Sequence, residues 1–149
     1  MKKYILIFLL PFFIKGSCRK EGECPATILN KGDDRLMIKN NSGKQITYSF
    51  SFSFPDTSLI KTDAVNNDVL NANPIQIIDP VENLSIRISG CWEERFKMRI
   101  PSGKLQIYIF DVEVVRNNSW NVIRDNYLVL KRYEYTLEEL KSINWQIVY

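Results

Sequence analysis

The sequence predicts an all-β fold: an antiparallel β-sandwich of roughly seven or eight strands with one short helix near the C-terminus. Residues 46–54 alternate strictly between large apolar and small polar side chains. Shorter segments with the same alternation recur along the chain, and residues typical of turns separate them. Only the segment that begins at Thr136 has a strong helix-start signal. This succession of short strands between turns is typical of two packed sheets.

Residues 46–54 form the clearest predicted strand. Successive side chains of a strand point to opposite faces, so the large apolar side chains share one face. They are Ile46, Tyr48, Phe50, Phe52 and Phe54. The other face carries Thr47, Ser49, Ser51 and Ser53. We expect the apolar face to be buried and the hydroxyl face to contact water, as in many antiparallel sheets.

The other strands are predicted from shorter patterns. Residues 35–39 alternate, and the Asn and Gly residues within 40–43 favour a turn, so 35–54 is predicted to be a β-hairpin. Further strands are predicted at 26–29, 74–78, 84–89, 104–115, 127–135 and 145–149. The form of 93–99 stays open, and 120–125 is either a single helical turn or a loop.

The predicted helix begins with a capping box. The hydroxyl of Thr136 can accept the backbone N–H of Glu139, and the Glu139 carboxylate can reach back to the Thr136 amide. The side chains predicted to face the core are Leu137, Leu140 and Ile143.

The N-terminus has the parts of an export signal. Lysines precede an apolar run over 4–14, which is too short to span a bilayer because a spanning helix needs about 20 residues. Small residues at 16–17 precede Cys18, an arrangement that resembles the lipobox of bacterial lipoproteins, in which this cysteine is acylated. An ordinary cleaved signal is the alternative. We therefore predict a signal peptide at 1–17, a tether at 18–25 and one β-sandwich domain at 26–149.

The charge balance argues against nucleic acid as a partner. The chain has 20 basic and 17 acidic residues, and the basic excess lies in the lysines Lys2, Lys3 and Lys15 of the signal. The mature protein is therefore close to neutral, whereas nucleic-acid binding needs a clustered basic excess.

Cys24 and Cys91 remain after the lipidation site is set aside. Outside the cytoplasm they could form a disulfide, and two free thiols are the alternative. The chain has no histidine, so two isolated cysteines do not make a zinc site, and we predict no metal and no cofactor.

Catalytic chemistry is not indicated. Without histidine, Ser–His and Cys–His pairs are excluded. Adjacent carboxylates at 33–34, 93–94 and 138–139 should diverge rather than face each other across a cleft. With six glycines in the chain, no glycine-rich phosphate loop is present. We therefore predict no catalytic residue and no enzyme.

Three residues are candidates for contact with a ligand or partner. Asp56 begins a turn and could also contact calcium or a glycan. Trp92 and Trp120 lie near strand ends, where tryptophan can stack on sugars or anchor a protein. The alternative is that both tryptophans fill the core.

Residues 40–42, 54–59, 130–140 (LKRYEYTLEEL) and 144–149 (NWQIVY) together resemble a group of small lipoproteins of Bacteroides-type bacteria with no assigned activity. The resemblance implies an exported, lipidated, immunoglobulin-like sandwich, and it supplies no site residues.

The leading hypothesis is a non-catalytic binding or assembly module, with a protein or glycan partner. It is anchored by lipid to the outer membrane of the bacterial cell envelope, on either the periplasmic or the surface side. The first alternative is a fimbria-like structural subunit that exchanges its terminal strand, 145–149. The second is an enzyme that uses carboxylates alone.

Overall fold

The computed structural model describes residues 32–56, 59 and 76–149. These residues form six strands and four helices. In chain order they are β1 (Asp33–Lys39), β2 (Ile46–Ser51), β3 (Asn83–Ile88), α1 (Trp92–Arg99), β4 (Leu105–Asp111), α2 (Val112–Asn117), α3 (Trp120–Asp125), β5 (Lys131–Tyr135), α4 (Leu137–Ser142) and β6 (Gln146–Val148). The described part of the chain is therefore rich in β-structure, but it holds more helix than the sequence predicts.

The strands form two sheets of mostly antiparallel strands. Sheet 1 has the order β3–β1–β6, in which β1 pairs antiparallel with β3 and parallel with β6. Sheet 2 has the order β2–β4–β5, with both pairs antiparallel.

The predicted hairpin over 35–54 is wrong, because β1 and β2 belong to different sheets. The side-chain amide of the buried Asn40 donates to the carbonyls of Lys44 and Ile78, at 2.8 and 2.9 Å, so the predicted turn carries the chain from one sheet to the other. Alternation determines which face of a strand is buried, but it does not determine the neighbouring strand.

The main core lies between the two sheets. Its members come from both sheets, from α1 and α4, and from the turn before β6; the buried ones include Leu36, Ile38, Ile46, Tyr48, Ile86, Trp92, Phe96, Ile107, Ile109, Leu140 and Ile147. The apolar face predicted for residues 46–54 is buried at Ile46 and Tyr48 and partly buried at Phe50, Phe52 and Phe54.

A second core covers the opposite side of sheet 2. It contains Leu59, Tyr108, Phe110, Val115, Trp120 and Ile123. The hydroxyl face predicted for residues 47–53 lies on this side. The prediction that it contacts water is wrong for Thr47 and Ser49, which are 1% and 9% exposed, whereas Ser51 is half-buried and Ser53 is exposed. Helices α2 and α3 supply apolar side chains that a one-sided sandwich would not have.

The strand predicted over 104–115 ends at Asp111, where α2 begins. The Asp111 carboxylate accepts the backbone N–H of Glu113 at 2.9 Å and caps the helix. Val112 and Val115, three residues apart, are buried and Glu113 is exposed, so the run of valines follows the helical period rather than the strand period.

The other helices also show buried side chains at helical spacing or a side-chain cap at the first turn. In α1, Trp92 and Phe96 are four residues apart and buried, and in α3 the Ser119 hydroxyl accepts the N–H of Val122. The capping box of Thr136 and Glu139 at the start of α4 is confirmed.

Of three other predicted strands, one lies outside the described residues and two are shorter than expected. Residues 26–29 are outside the described residues, and of 74–78 only Ile78 makes a described pairing, an isolated bridge to Ile46. Strand β5 begins at Lys131 rather than at residue 127, because Tyr127 has a φ of 48°, which a strand does not accommodate.

Candidate functional site: the polar face of sheet 2

Sheet 2 carries a row of polar side chains on the side away from the main core. We call this surface the polar face and define it by Thr47, Ser49, Gln106, Tyr108, Arg132 and Glu134. Its members are neighbours in register: Ser49 and Arg132 lie on either side of Tyr108, and Glu134 lies beside Gln106, whose other neighbour is Ser51 at the border of the face. They alternate along β4 with Ile107 and Ile109 of the main core, so they share one face.

Buried polar atoms on this face lack hydrogen-bond partners. Gln106 is 0% exposed, and both its amide nitrogen and its amide oxygen are unpaired within the described structure. The same holds for the hydroxyls of Thr47 and Tyr108 and for the indole N–H of Trp120 in the second core. A buried polar group without a partner costs about 1–3 kcal/mol, so a cluster of them on one face requires an explanation.

The phenol of Tyr108 is protonated at neutral pH. Burial is the main reason why its pKa is raised to about 12. The nearby Tyr127, Asp56 and Glu134 also raise this pKa, whereas Arg132 lowers it. The neutral phenol can both donate and accept a hydrogen bond. Together with the Gln106 amide and the Thr47 hydroxyl, it gives the face a set of uncharged donors and acceptors.

The rim of the polar face is charged and includes one exposed aromatic ring. The Arg132 guanidinium donates to the Tyr127 hydroxyl at 3.2 Å and forms an ion pair with Glu134, also at 3.2 Å. Tyr127 is 43% exposed and has a left-handed backbone conformation, which is strained for a residue with a side chain. The Lys104 ammonium lies 3.9 Å from Glu134 and 4.7 Å from the Phe54 ring centroid.

The structure places the sequence-predicted candidates in different regions. Asp56 is exposed and lies within electrostatic reach of Tyr108, near the polar face. Trp120 packs in the second core with its ring centroid 6.0 Å from that of Phe110. Trp92 is fully buried in the main core, which favours its interpretation as a core residue. Cys91 is disulfide-bonded.

Cys18 and Cys24 lie outside the described residues. Lipidation of Cys18 and the pairing of Cys24 with Cys91 therefore remain predictions.

A second polar region, which we call the arginine cluster, joins β1 to the start of α1. It consists of Arg35, Asp33, Glu93 and Trp145. The Arg35 guanidinium contacts Asp33 at 2.5 Å and Glu93 at 2.6 Å, and its central carbon lies 4.3 Å above the Trp145 ring. An Asp33 oxygen also accepts the backbone N–H of Trp92 at 3.1 Å.

The carboxylates of the arginine cluster stay ionised. Burial alone raises the pKa of Asp33 and of Glu93, but the hydrogen bonds from Arg35 outweigh it, so both pKa values lie below their ordinary values. Neither group is suited to act as a general acid near neutral pH.

The described residues hold neither a cluster of metal ligands nor a membrane-spanning helix. Nowhere in 32–56, 59 and 76–149 do three or more Cys, Asp or Glu side chains come together to hold a metal ion. In the same ranges no helix has the length and hydropathy needed to cross a membrane.

Sequence reasoning missed Gln106, Tyr108 and Arg132 as site residues. Gln106 is a lone amide inside the apolar stretch 105–110, and this was the one available signal. Whether its amide finds a partner depends on the residues that pack on it, and the alternation pattern does not identify those residues.

The polar face and the arginine cluster have to be interpreted from their own geometry. Compared with known proteins, the chain matches no protein-family model, no curated protein and no solved structure.

Proposed function

We propose that this protein is an exported, lipid-anchored module of the bacterial cell envelope that binds a neutral, hydroxyl-rich ligand of the saccharide class at the polar face, without catalysing a reaction. The unpaired polar atoms of Gln106, Tyr108 and Thr47 carry this proposal. Hydroxyl groups both donate and accept hydrogen bonds, so a saccharide can satisfy an amide and a phenol at the same time.

The surroundings of these atoms favour a neutral ligand. The unpaired groups are uncharged, while the charged groups of the rim, Arg132 and Glu134, already pair with each other. A charged ligand would therefore find no free counter-charge among these residues. The exposed ring of Tyr127 offers a surface on which a sugar ring can stack.

Binding requires a rearrangement at the rim, because the unpaired atoms are covered. The hydrogen bond between Arg132 and Tyr127 is exposed, and both side chains lie within electrostatic reach of Tyr108. The strained backbone of Tyr127 makes this segment a suitable place for such a change.

Export and anchoring stay part of the proposal and depend on the signal-like N-terminus and on Cys18. The disulfide at Cys91 supports an oxidising compartment outside the cytoplasm. The immunoglobulin-like sandwich is likewise proposed: two sheets that share one core support it, whereas four helices and the parallel β1–β6 pair depart from a simple antiparallel sandwich.

The two alternative functions have less support. Strand exchange would need a free terminal strand, but β6 pairs with β1 of the same chain and Ile147 is 0% exposed. A carboxylate-only enzyme would need a carboxyl group with a raised pKa, and the carboxylates of the arginine cluster have lowered values.

The test is calorimetric titration of the purified protein with neutral hexasaccharides of glucose, xylose and mannose. We expect at least one of them to bind, and Gln106→Leu to weaken binding by roughly tenfold or more, since a lost buried hydrogen-bond pair costs about 1–3 kcal/mol. Gln146→Leu, the same change in sheet 1, is the matched control and should bind like the parent. The proposal is wrong if no hexasaccharide binds, or if both variants bind alike.

A further inference from the structure

We propose that the open edge of sheet 2 pairs with the same edge of a second copy of this chain. This edge is strand β5, which has five residues and pairs on one side with β4. Sheet 2 ends at β5, since no other strand within the described ranges lies on its second side. The inference goes beyond ligand binding at the polar face and does not depend on it.

The main-chain groups of Arg132 and Glu134 point to the open side of β5. Ile46 and Ile78 exchange two backbone hydrogen bonds, at 2.9 and 3.1 Å, so the main chain of Ile46 points away from β4. Hydrogen-bonded and non-hydrogen-bonded pairs alternate along an antiparallel ladder. Counted from Ile46 through the register of sheet 2, the odd-numbered residues of β5 bond to β4. The even-numbered residues, Arg132 and Glu134, therefore present their N–H and C=O groups to the open side.

The order of side chains along β5 is complementary to itself. In an antiparallel pair of two β5 strands centred on Tyr133, Arg132 of each copy lies opposite Glu134 of the other. These are the residues whose main-chain groups are available, so each pair can exchange both backbone hydrogen bonds and also join opposite charges. Tyr133 then faces its own copy, and Lys131 faces Tyr135, which allows an aromatic pair and cation–π contacts.

The charges of β5 also determine the register of this pairing. A shift by two residues keeps the main-chain groups in phase, but it places Arg132 opposite Arg132 or Glu134 opposite Glu134. Like charges directly opposite each other destabilise a strand pair. A shift by one residue places groups that already bond to β4 opposite groups of the open side. The pairing centred on Tyr133 is therefore the favoured one.

Charged side chains commonly protect edge strands from pairing with other strands. Repulsion between like charges does not protect an edge from a strand whose charges have the complementary order. The side chains of Arg132 and Glu134 are 35% and 25% exposed, and within each copy they form an ion pair at 3.2 Å. In the dimer the two ion pairs would lie side by side and form a square of alternating charges. This complementarity is the reason why we assign the edge to a second copy.

The test is sedimentation velocity of the purified full-length protein from micromolar to millimolar concentration, without saccharide. Because β5 is short, we expect a monomer at the lowest concentrations and a dimer at the highest. Arg132→Glu and Glu134→Arg each place like charges opposite each other, so each variant alone should dimerise more weakly by roughly tenfold or more. Arg116→Glu, the same charge reversal at an exposed site on α2, is the matched control and should dimerise like the parent protein.

Mixing the two variants identifies the pairing. An equimolar mixture of Arg132→Glu and Glu134→Arg restores opposite charges at both pairs, so mixed dimers should form although each variant alone dimerises poorly. Their formation would also show that both variants are folded. In the parent protein, the amides of Arg132 and Glu134 should exchange hydrogen more slowly in the dimer than in the monomer.

Four results would overturn the proposal. They are a parent protein that stays monomeric, a dimer that neither charge reversal weakens, a mixture that forms no mixed dimers, and unchanged hydrogen exchange at residues 132 and 134 in the dimer. A monomeric parent would leave the edge to a strand of another protein or to solvent, and a dimer insensitive to the reversals would place the contact elsewhere on the surface.

Discussion

The arginine cluster and the polar face are both buried and polar, yet they differ in how their groups are satisfied. In the arginine cluster, Asp33 accepts hydrogen bonds from Arg35 and from the Trp92 backbone, and Glu93 accepts two from Arg35. On the polar face, Gln106 and Tyr108 have buried polar atoms with no partner in the described structure.

The difference indicates two roles. A fully paired network holds its elements in one arrangement, because breaking any member leaves another buried and unpaired. Unpaired groups do not contribute to holding the fold and cost stability until something binds them. The arginine cluster therefore fastens β1 to α1, whereas the polar face holds the covered, unpaired groups to which we propose that a ligand binds.

The largest effect is expected for Arg35→Met. The substitution leaves Asp33 and Glu93 next to each other without a counter-charge. We therefore expect a loss of roughly 2–4 kcal/mol in the free energy of unfolding. This loss is somewhat smaller than for a fully buried ion pair, because Arg35 is partly exposed. Urea unfolding at pH 7 measures it. Arg116→Met removes the exposed ion pair with Glu113 and should cost about 0–1 kcal/mol. Equal losses in the two variants would contradict a structural role for the cluster.

Lowering the pH should reduce the difference in the free energy of unfolding between the parent protein and Arg35→Met. The folded-state pKa values of Asp33 and Glu93 lie below the ordinary 3.8 and 4.5, so their contribution is present above these values and is lost as pH falls through the lowered folded values. In Arg35→Met the unpaired carboxylates favour protonation, so the variant loses less stability on acidification than the parent. The urea midpoints of both proteins at pH 7, 5, 4 and 3 measure this difference. A difference that grows as the pH falls would contradict the assignment of lowered pKa values to Asp33 and Glu93.

The sequence predicted local features better than pairings. It correctly identified the buried face of Ile46 and Tyr48 and the capping box of Thr136, because both depend on neighbours within a few residues. It did not predict the contact of Arg35 with Glu93, which are 58 residues apart. Nor did it predict the burial of Thr47, because the second core on that side of sheet 2 includes side chains from the helices α2 and α3, and α2 replaces the end of a predicted strand.

The same limit applies to the candidate site. Gln106 lies within an apolar stretch, and nothing in the spacing of that stretch tells whether its amide finds a hydrogen-bond partner after folding. The candidates that the sequence did supply, Asp56 and Trp120, lie near the polar face, whereas Trp92 lies in the main core. Aromatic residues near strand ends have no sequence signal that separates a core position from an exposed one.

The smallest and most discriminating effect is expected for Gln106→Leu in the absence of ligand. Leucine removes both unpaired amide atoms and keeps most of the side-chain volume, so the free energy of unfolding should stay the same or rise by up to about 1 kcal/mol. Urea unfolding measures it against Gln146→Leu in sheet 1. A loss of stability at position 106 larger than at 146 would show that the Gln106 amide is paired in the folded protein, and the contrast between the two polar regions would then disappear. Unchanged or higher stability together with lost saccharide binding would show that the amide serves the ligand rather than the fold.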